Sequence, residues 1–274
     1  MPIENLDAYF TIARQHLICE DYAFAAFDPI PHLVLCDGCS SSASTDIGAR
    51  ILAASASKTL REHFEKNPAD GLPAYAEFGY AVANRARHVN EALGLPANAL
   101  DATLLLAVPN RGQIQVYVYG DGYVLTRDCD GRMGGIHLSF ARNMPFYLSY
   151  WLDKSRREGY IAANDDGKNV LTIQGCGHNH EQAHTVDCDA ELLFSFDLKA
   201  FTAIALASDG VASFMRIADQ QKIPEIEIIE QVLAYKTIKG DFVKRRVRRM
   251  LKTYEADGVY PTDDLAVAAM LIGH

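Results

Sequence analysis

Acidic residues at the ends of apolar runs are the first chemistry this sequence offers. Residues 33–36, Leu-Val-Leu-Cys, read as a short buried strand, and the run stops at Asp37-Gly38. A carboxylate beside a glycine carbonyl suits a hard cation held by oxygen. Taken alone, Asp-Gly is simply a turn pair. The same grammar recurs along the chain. Residues 203–207 lead into Ser208-Asp209-Gly210, and residues 116–119 lead into Gly120-Asp121-Gly122. Asp263-Asp264 stand directly before the run 265–272, and Glu20-Asp21 directly before 22–27. Carboxylates at five strand ends can converge on one sheet edge, where they repel one another unless cations lie between them.

Other groups are chemically capable but poorly arranged. Cys36 and Cys39 form a C-x-x-C, yet Asp-Gly fills its middle and no basic or aromatic redox context surrounds it. Cys176, His178, His180, His184 and Cys188 are zinc-capable residue types whose spacing matches no standard pair of ligand knuckles. We read them as a polar loop or hairpin. The run Lys244 to Lys252 is basic, but Val243, Val247, Met250, Leu251 and Tyr254 share one helical face. That pattern is a solvated charged face on a core-packing helix, not a nucleic-acid surface.

The elements that must position the carboxylates follow from periodicity. Residues 8–18 suit an edge strand and a turn, and 22–27 a strand joined by Asp28-Pro-Ile-Pro-His to the run before Asp37. Residues 46–66 carry apolar stripes on more than one face of a helix capped by Ser44 or Thr45; Asn67-Pro-Ala-Asp-Gly ends it. A second Ala-rich helix spans 73–93 and closes at Gly94. The period then changes to β over 102–108, 113–119 and 123–127. An irregular stretch covers about 130–190, with a helix expected at 147–156. Strands at 192–196 and 204–207, helices at 224–236 and 240–256, and a strand at 265–272 complete the order. Strands and helices in blocks predict an α+β class rather than βαβ alternation, in one domain over residues 1–274.

Composition narrows the function. No apolar run approaches the roughly 18 residues of a membrane span, and the first residues lack the basic and apolar regions of a secretory signal. A cytoplasmic chain with its six cysteines reduced is therefore expected. The net charge of -9 argues against nucleic acid or an anionic membrane as partner.

These ordered motifs together resemble the metal-dependent serine/threonine protein phosphatases of the PPM, or 2C, type. The resemblance runs from Glu20-Asp21 through Asp37-Gly38 with Gly48, Ala102-Thr103, Gly120-Asp121 and Ser208-Asp209-Gly210 to Asp263-Asp264. It implies a two-sheet β-sandwich flanked by pairs of antiparallel helices. It also implies two Mn²⁺ or Mg²⁺ ions, with a third, weaker one at Asp121 and Asp209. By motif position Asp37 bridges both ions, and the Gly38 carbonyl and Glu20 serve one of them. Asp209 and Asp263 serve the other, which makes Asp37, Asp209 and Asp263 the catalytic set. Asp21 is either a ligand or a support behind the ligands. Two such ions, about 3.5–4 Å apart, activate a shared water for in-line attack on phosphorus. The implied partner is a phosphorylated protein.

Several positions depart from the pattern. His16 stands where many members carry the arginine that grips substrate phosphate; it is the candidate substrate-binding residue, as a protonated or N–H donor. Cys39 replaces a histidine that many eukaryotic members carry after Asp-Gly. Asp101 replaces the glycine before Thr103, and the loop after Gly38 is rich in Ser. Residues 140–165 are expected to form a flap beside the metal edge, touching substrate through Tyr147, Tyr150 or Trp151. Two rival readings are a phosphatase fold that has lost activity and serves as a binding or regulatory module, and a zinc hydrolase built on residues 176–188. The complete carboxylate set favours the metal-dependent hydrolase over both.

Overall fold

The computed structural model of the protein describes residues 2–66, 71–164, 169–178 and 182–273. In chain order the strands and helices are β1 (Ile3–Thr11), β2 (Tyr22–Ala26), β3 (His32–Cys36), α1 (Thr45–Lys66) and α2 (Tyr75–Ala92). Then come β4 (Leu104–Asn110), β5 (Gln113–Tyr119), β6 (Gly122–Asp128), β7 (Met133–Phe140), α3 (Lys154–Ala163), β8 (Leu171–Gly177) and β9 (His184–Val186). The chain continues through β10 (Leu192–Asp197), β11 (Phe201–Ala207), β12 (Phe214–Arg216), β13 (Gln221–Lys222), α4 (Glu225–Leu233), α5 (Phe242–Ala256), β14 (Val259–Pro261) and β15 (Leu265–Ile272).

Two sheets face each other: a seven-stranded one in the order β1-β15-β11-β6-β7-β8-β9 and a five-stranded one in the order β10-β5-β4-β3-β2. Their pairings are antiparallel throughout. Side-chain alternation explains why the inner strands read as unbroken apolar runs. In β15, Ala266, Ala268, Met270 and Ile272 face the core between the sheets, while Leu265, Val267, Ala269 and Leu271 face the outer helices. In β3, Leu33 and Leu35 point inward, and Val34 and Cys36 point to α1 and α2. Helices α1 and α2 cover the five-stranded sheet, and α4 and α5 cover the seven-stranded one. The result is an α+β sandwich of four layers with three apolar cores.

Close packing fixes the start of α1. A Cβ on Gly48 would sit 1.6 Å from the Ala99 carbonyl oxygen, so only glycine lets α1 lie against the turn before Asp101. The edge strand expected within 8–18 is β1, which begins earlier, at Ile3, and among the described residues pairs only with β15. The basic segment is helix α5, which buries Phe242, Val243, Val247 and Met250 and turns Lys244, Arg245, Arg248 and Arg249 outward. No described helix is long and apolar enough to cross a membrane.

The stretch 130–190 is more regular than its sequence suggests. It supplies β7, β8 and β9, which extend the seven-stranded sheet. The helix expected at 147–156 is instead a 3-10 turn over Leu148–Leu152, followed by α3. Asp153 divides them: its side chain accepts from the Arg156 N–H and caps α3. Asn67 to Asp70, expected to end α1, lie outside the described residues.

Candidate functional site

Antiparallel pairing brings the acidic strand ends together. Asp37 follows β3, whose end pairs with the start of β2, so Glu20 and Asp21 arrive beside it. The end of β11 pairs with the starts of β6 and β15, which brings Asp209, Asp121 and Asp263 to the same edge. A cleft of about 250 Å³ opens there, lined by Glu20, Asp37, Asp121, Asp209, Asp263 and Asp264. Gly38, Ser40, Ser41, Asn143 and Tyr147 also stand in its walls.

Backbone bonds set the aim of the central aspartate. The Asp37 N–H donates to Thr103 Oγ1 at 3.0 Å, and the Thr103 N–H donates to the Asp37 carbonyl at 2.8 Å. Gly38 bridges to Ala102, and the Cys39 N–H donates to the Asp101 carbonyl at 2.8 Å. Glu20 is fixed by Thr45, whose hydroxyl donates to Glu20 Oε1 at 2.6 Å. Asp21 is 1% exposed and lies behind the cleft wall, accepting the Ser208 hydroxyl at 2.7 Å.

The two members of the Asp263-Asp264 pair divide the work. Asp263 is exposed to the cleft. Asp264 is 3% exposed and acts as a buckle on the 13–20 loop. It accepts from the Ala13 N–H at 2.7 Å and the Glu20 N–H at 2.8 Å. Its Oδ1 also stands 3.0 Å from His16 Nδ1. His16 therefore faces Asp264 and is not among the residues lining the cleft, where the expected phosphate grip would be. The buckle was not legible in sequence, because its partners lie about 250 positions away.

The flap expectation divides in the same way. Asn143, Pro145 and Tyr147 line the cleft. Trp151 instead packs between α2 and β5, 4.9 Å from the Tyr80 ring and 5.8 Å from the Tyr119 ring. Tyr150 packs on Phe146 and Tyr160, so neither ring faces the carboxylates.

Among the described residues the cysteine groupings do not assemble. Cys36 is buried under α1 while Cys39 lines the cleft, and both are free. Cys176 packs against the core under α4 and α5, and Cys188 against the core between the sheets. His180 lies outside the described residues.

Electrostatically the edge is one-sided. Burial pushes the Asp37 carboxyl well above the usual range, and repulsion from Asp21, Asp209, Asp121 and Asp263 adds to it. Burial also raises Asp21, against the lowering effect of the Ser208 bond. It raises Asp121 to about 8, with Asp209 contributing, and raises Asp263 with Asp209 again contributing. Among the described ion pairs none joins Lys or Arg to Asp21, Asp37, Asp121, Asp209 or Asp263. Oxygen donors, burial and uncompensated negative charge fit a hard divalent cation better than zinc. No three described His, Cys, Asp or Glu side chains stand gathered at ligand spacing.

A pH dependence follows for the protein in chelator. Asp21, Asp37, Asp121 and Asp263 keep protons in the folded state that the unfolded chain, with aspartate near 3.9, has already released. The unfolded state then binds fewer protons, so stability falls as pH rises from about 4 towards about 8. Melting in EDTA should occur at a lower temperature at pH 8 than at pH 6. A melting temperature that climbs over that interval contradicts the shifts.

Comparison with known proteins bears on the family and the fold. The family model for protein phosphatase 2C matches residues 12–252. No curated protein sequence matches significantly. Among solved structures, the serine/threonine phosphatase Stp1 from Staphylococcus aureus is 14% identical, with a TM-score of 0.56, over 100% of this chain and 96% of that one. The Mycobacterium tuberculosis serine/threonine phosphatase PstP/Ppp is 15% identical, with a TM-score of 0.53, over 98% and 99%. The PPM Ser-Thr phosphatase MsPP from Mycobacterium smegmatis, solved in complex with cacodylate, is 17% identical, with a TM-score of 0.51, over 100% of both chains. At such identities the structural likeness is one of fold, and the family model carries the assignment: the chain belongs to the protein phosphatase 2C family.

Proposed function

We propose that the protein is a divalent-cation-dependent phosphomonoester hydrolase that acts on phosphoserine or phosphothreonine in proteins. The observation that carries this reading is the meeting of Glu20, Asp37, Asp121, Asp209 and Asp263 in one cleft whose described lining holds no Lys or Arg. Asp37, Asp209 and Asp263 would hold the cations, with Glu20 and the Gly38 carbonyl beside Asp37, Asp21 behind it, and Asp121 with Asp209 as a weaker third site. Bound Mn²⁺ or Mg²⁺ would supply Lewis-acid polarisation of phosphate and an activated water.

The chain's own groups do the rest. Thr103 and Ala102 hold the Asp37-Gly38 turn in place, and Thr45 and Asp264 orient Glu20. His16 is occupied at Asp264. We therefore assign phosphate recognition to the hydroxyls of Ser40 and Ser41, which line the cleft. Tyr147 closes one side and limits water there; burial raises its phenol, so it stays a neutral donor at ordinary pH.

Phosphate release from phosphoserine, phosphothreonine and phosphotyrosine peptides in Mn²⁺ tests the substrate class. Release from the first two and little from the third is the expected result. Release from phosphotyrosine alone overturns the assignment. Tight binding of phosphopeptides without release would instead favour the inactive regulatory module.

A further inference from the structure

Asp101 joins two parts of the cleft that are far apart in sequence. It is 4% exposed, and both carboxylate oxygens are bonded. Arg156 Nη2 donates to Oδ1 and to Oδ2, each at 2.6 Å. The Ser149 hydroxyl donates to Oδ1 at 2.7 Å, and the Ser42 hydroxyl donates to Oδ2 at 3.0 Å. The Asp101 carbonyl accepts the N–H of Cys39, next to Gly38. One residue thus ties the loop after Asp37 to the 3-10 turn that follows Tyr147.

Arg156 is itself held on two further sides. Its guanidinium lies 4.8 Å from the centre of the Tyr150 ring, and its backbone N–H donates to the Asp153 cap of α3. A buried carboxylate met by a guanidinium and two hydroxyls is strongly directional, because Arg presents its donors in a fixed plane. The Asp101 carbonyl serves the Asp37-Gly38 turn through Cys39, whereas its carboxylate reaches the opposite wall through Ser149 and Arg156. It braces the wall that carries Asn143, Pro145 and Tyr147.

We infer that Asp101 and Arg156 are positioning residues that lock this wall beside the carboxylate edge, and that the locked wall selects protein substrates over small phosphate esters. The inference rests on the hydrolase reading above. An aryl phosphate fits within the cleft itself. The peptide on either side of a phosphorylated residue must instead run along the wall, so a displaced wall penalises the peptide more.

The test uses the full chain in Mn²⁺. Arg156→Met alone leaves a buried, unpaired carboxylate and can fail through folding. The informative variant is therefore Asp101→Asn with Arg156→Met, which removes both charges, keeps the shape of the carboxylate and replaces the arginine stem with a flexible apolar chain. Two readouts are taken: kcat/KM for a phosphothreonine peptide and for p-nitrophenyl phosphate, and amide hydrogen exchange over residues 143–160. The peptide value should fall about tenfold or more and at least about threefold further than the aryl phosphate value, and exchange should quicken. Equal losses on both substrates, or an unchanged peptide value, overturn the selective role. Unchanged exchange overturns the brace itself. Exchange is read without turnover, so a wild-type chain inactive on both esters would refute the hydrolase reading and leave the brace to be judged separately.

Discussion

Replacing Asp37 by Asn should abolish turnover while leaving the protein folded. Asp37 sits at the centre of the edge, where four other carboxylates repel it and burial opposes its charge. Asn keeps the shape and the backbone bonds to Thr103 but removes a full negative charge. On the proposed function the cations would lose their central ligand, and metal activation of water would go with it. A fall in kcat of at least about a hundredfold is expected from what that activation contributes. Stability should move the other way. With chelator present, relieving the repulsion should hold the melting temperature steady or raise it. Calorimetric titration of Mn²⁺ provides an independent readout and should show weakened binding. A variant that binds Mn²⁺ as wild type and turns over normally would reduce Asp37-Gly38 to a turn.

Gly210→Ala should damage both stability and activity. A Cβ there would lie 1.9 Å from the Asp264 carbonyl oxygen and 2.9 Å from its carbon. Both are backbone atoms, so no rotamer change can relieve the clash. Either the turn that begins at Asp209 or the start of β15 must move, and each carries a carboxylate of the cleft. Overpacking costs about 1–3 kcal/mol, and a clash with backbone atoms belongs at about 3 kcal/mol. That corresponds to roughly 6–12 °C in melting temperature for a chain of this size. A displacement of about 1 Å between Asp209 and Asp263 should cost about a further hundredfold in kcat/KM. Thermal melting and aryl phosphate kinetics check both arms, and wild-type values in either contradict the close approach.

The parts legible in sequence are those where local pattern and tertiary position agree. Runs such as 113–119 and 265–272 are apolar at every position facing a core, and both are strands with those bounds. Acids directly adjoining such runs were locatable because a strand end fixes its neighbour within a residue or two. The region 130–190 was opaque for a physical reason. Gly134, Gly135, Gly175 and Gly177 interrupt the alternation of β7 and β8, so those strands show no clean period. Asp153 within an aromatic stretch likewise splits one expected helix into a turn and α3.

Roles that depend on distant partners were out of reach. Nothing local marks Asp264 rather than Asp263 as the buckle, or Asp101 as the partner of an arginine 55 positions on. His16 shows the same limit: nothing near it in sequence predicts that Asp264 takes its Nδ1.

Hydrolysis of p-nitrophenyl phosphate by the purified chain in Mn²⁺, Mg²⁺, Zn²⁺ or EDTA bears most directly on the carboxylate edge. Turnover in Mn²⁺ or Mg²⁺ that disappears in EDTA and returns when Mn²⁺ is restored is the predicted result. Equal turnover in EDTA, or turnover supported by Zn²⁺ alone, would contradict the account.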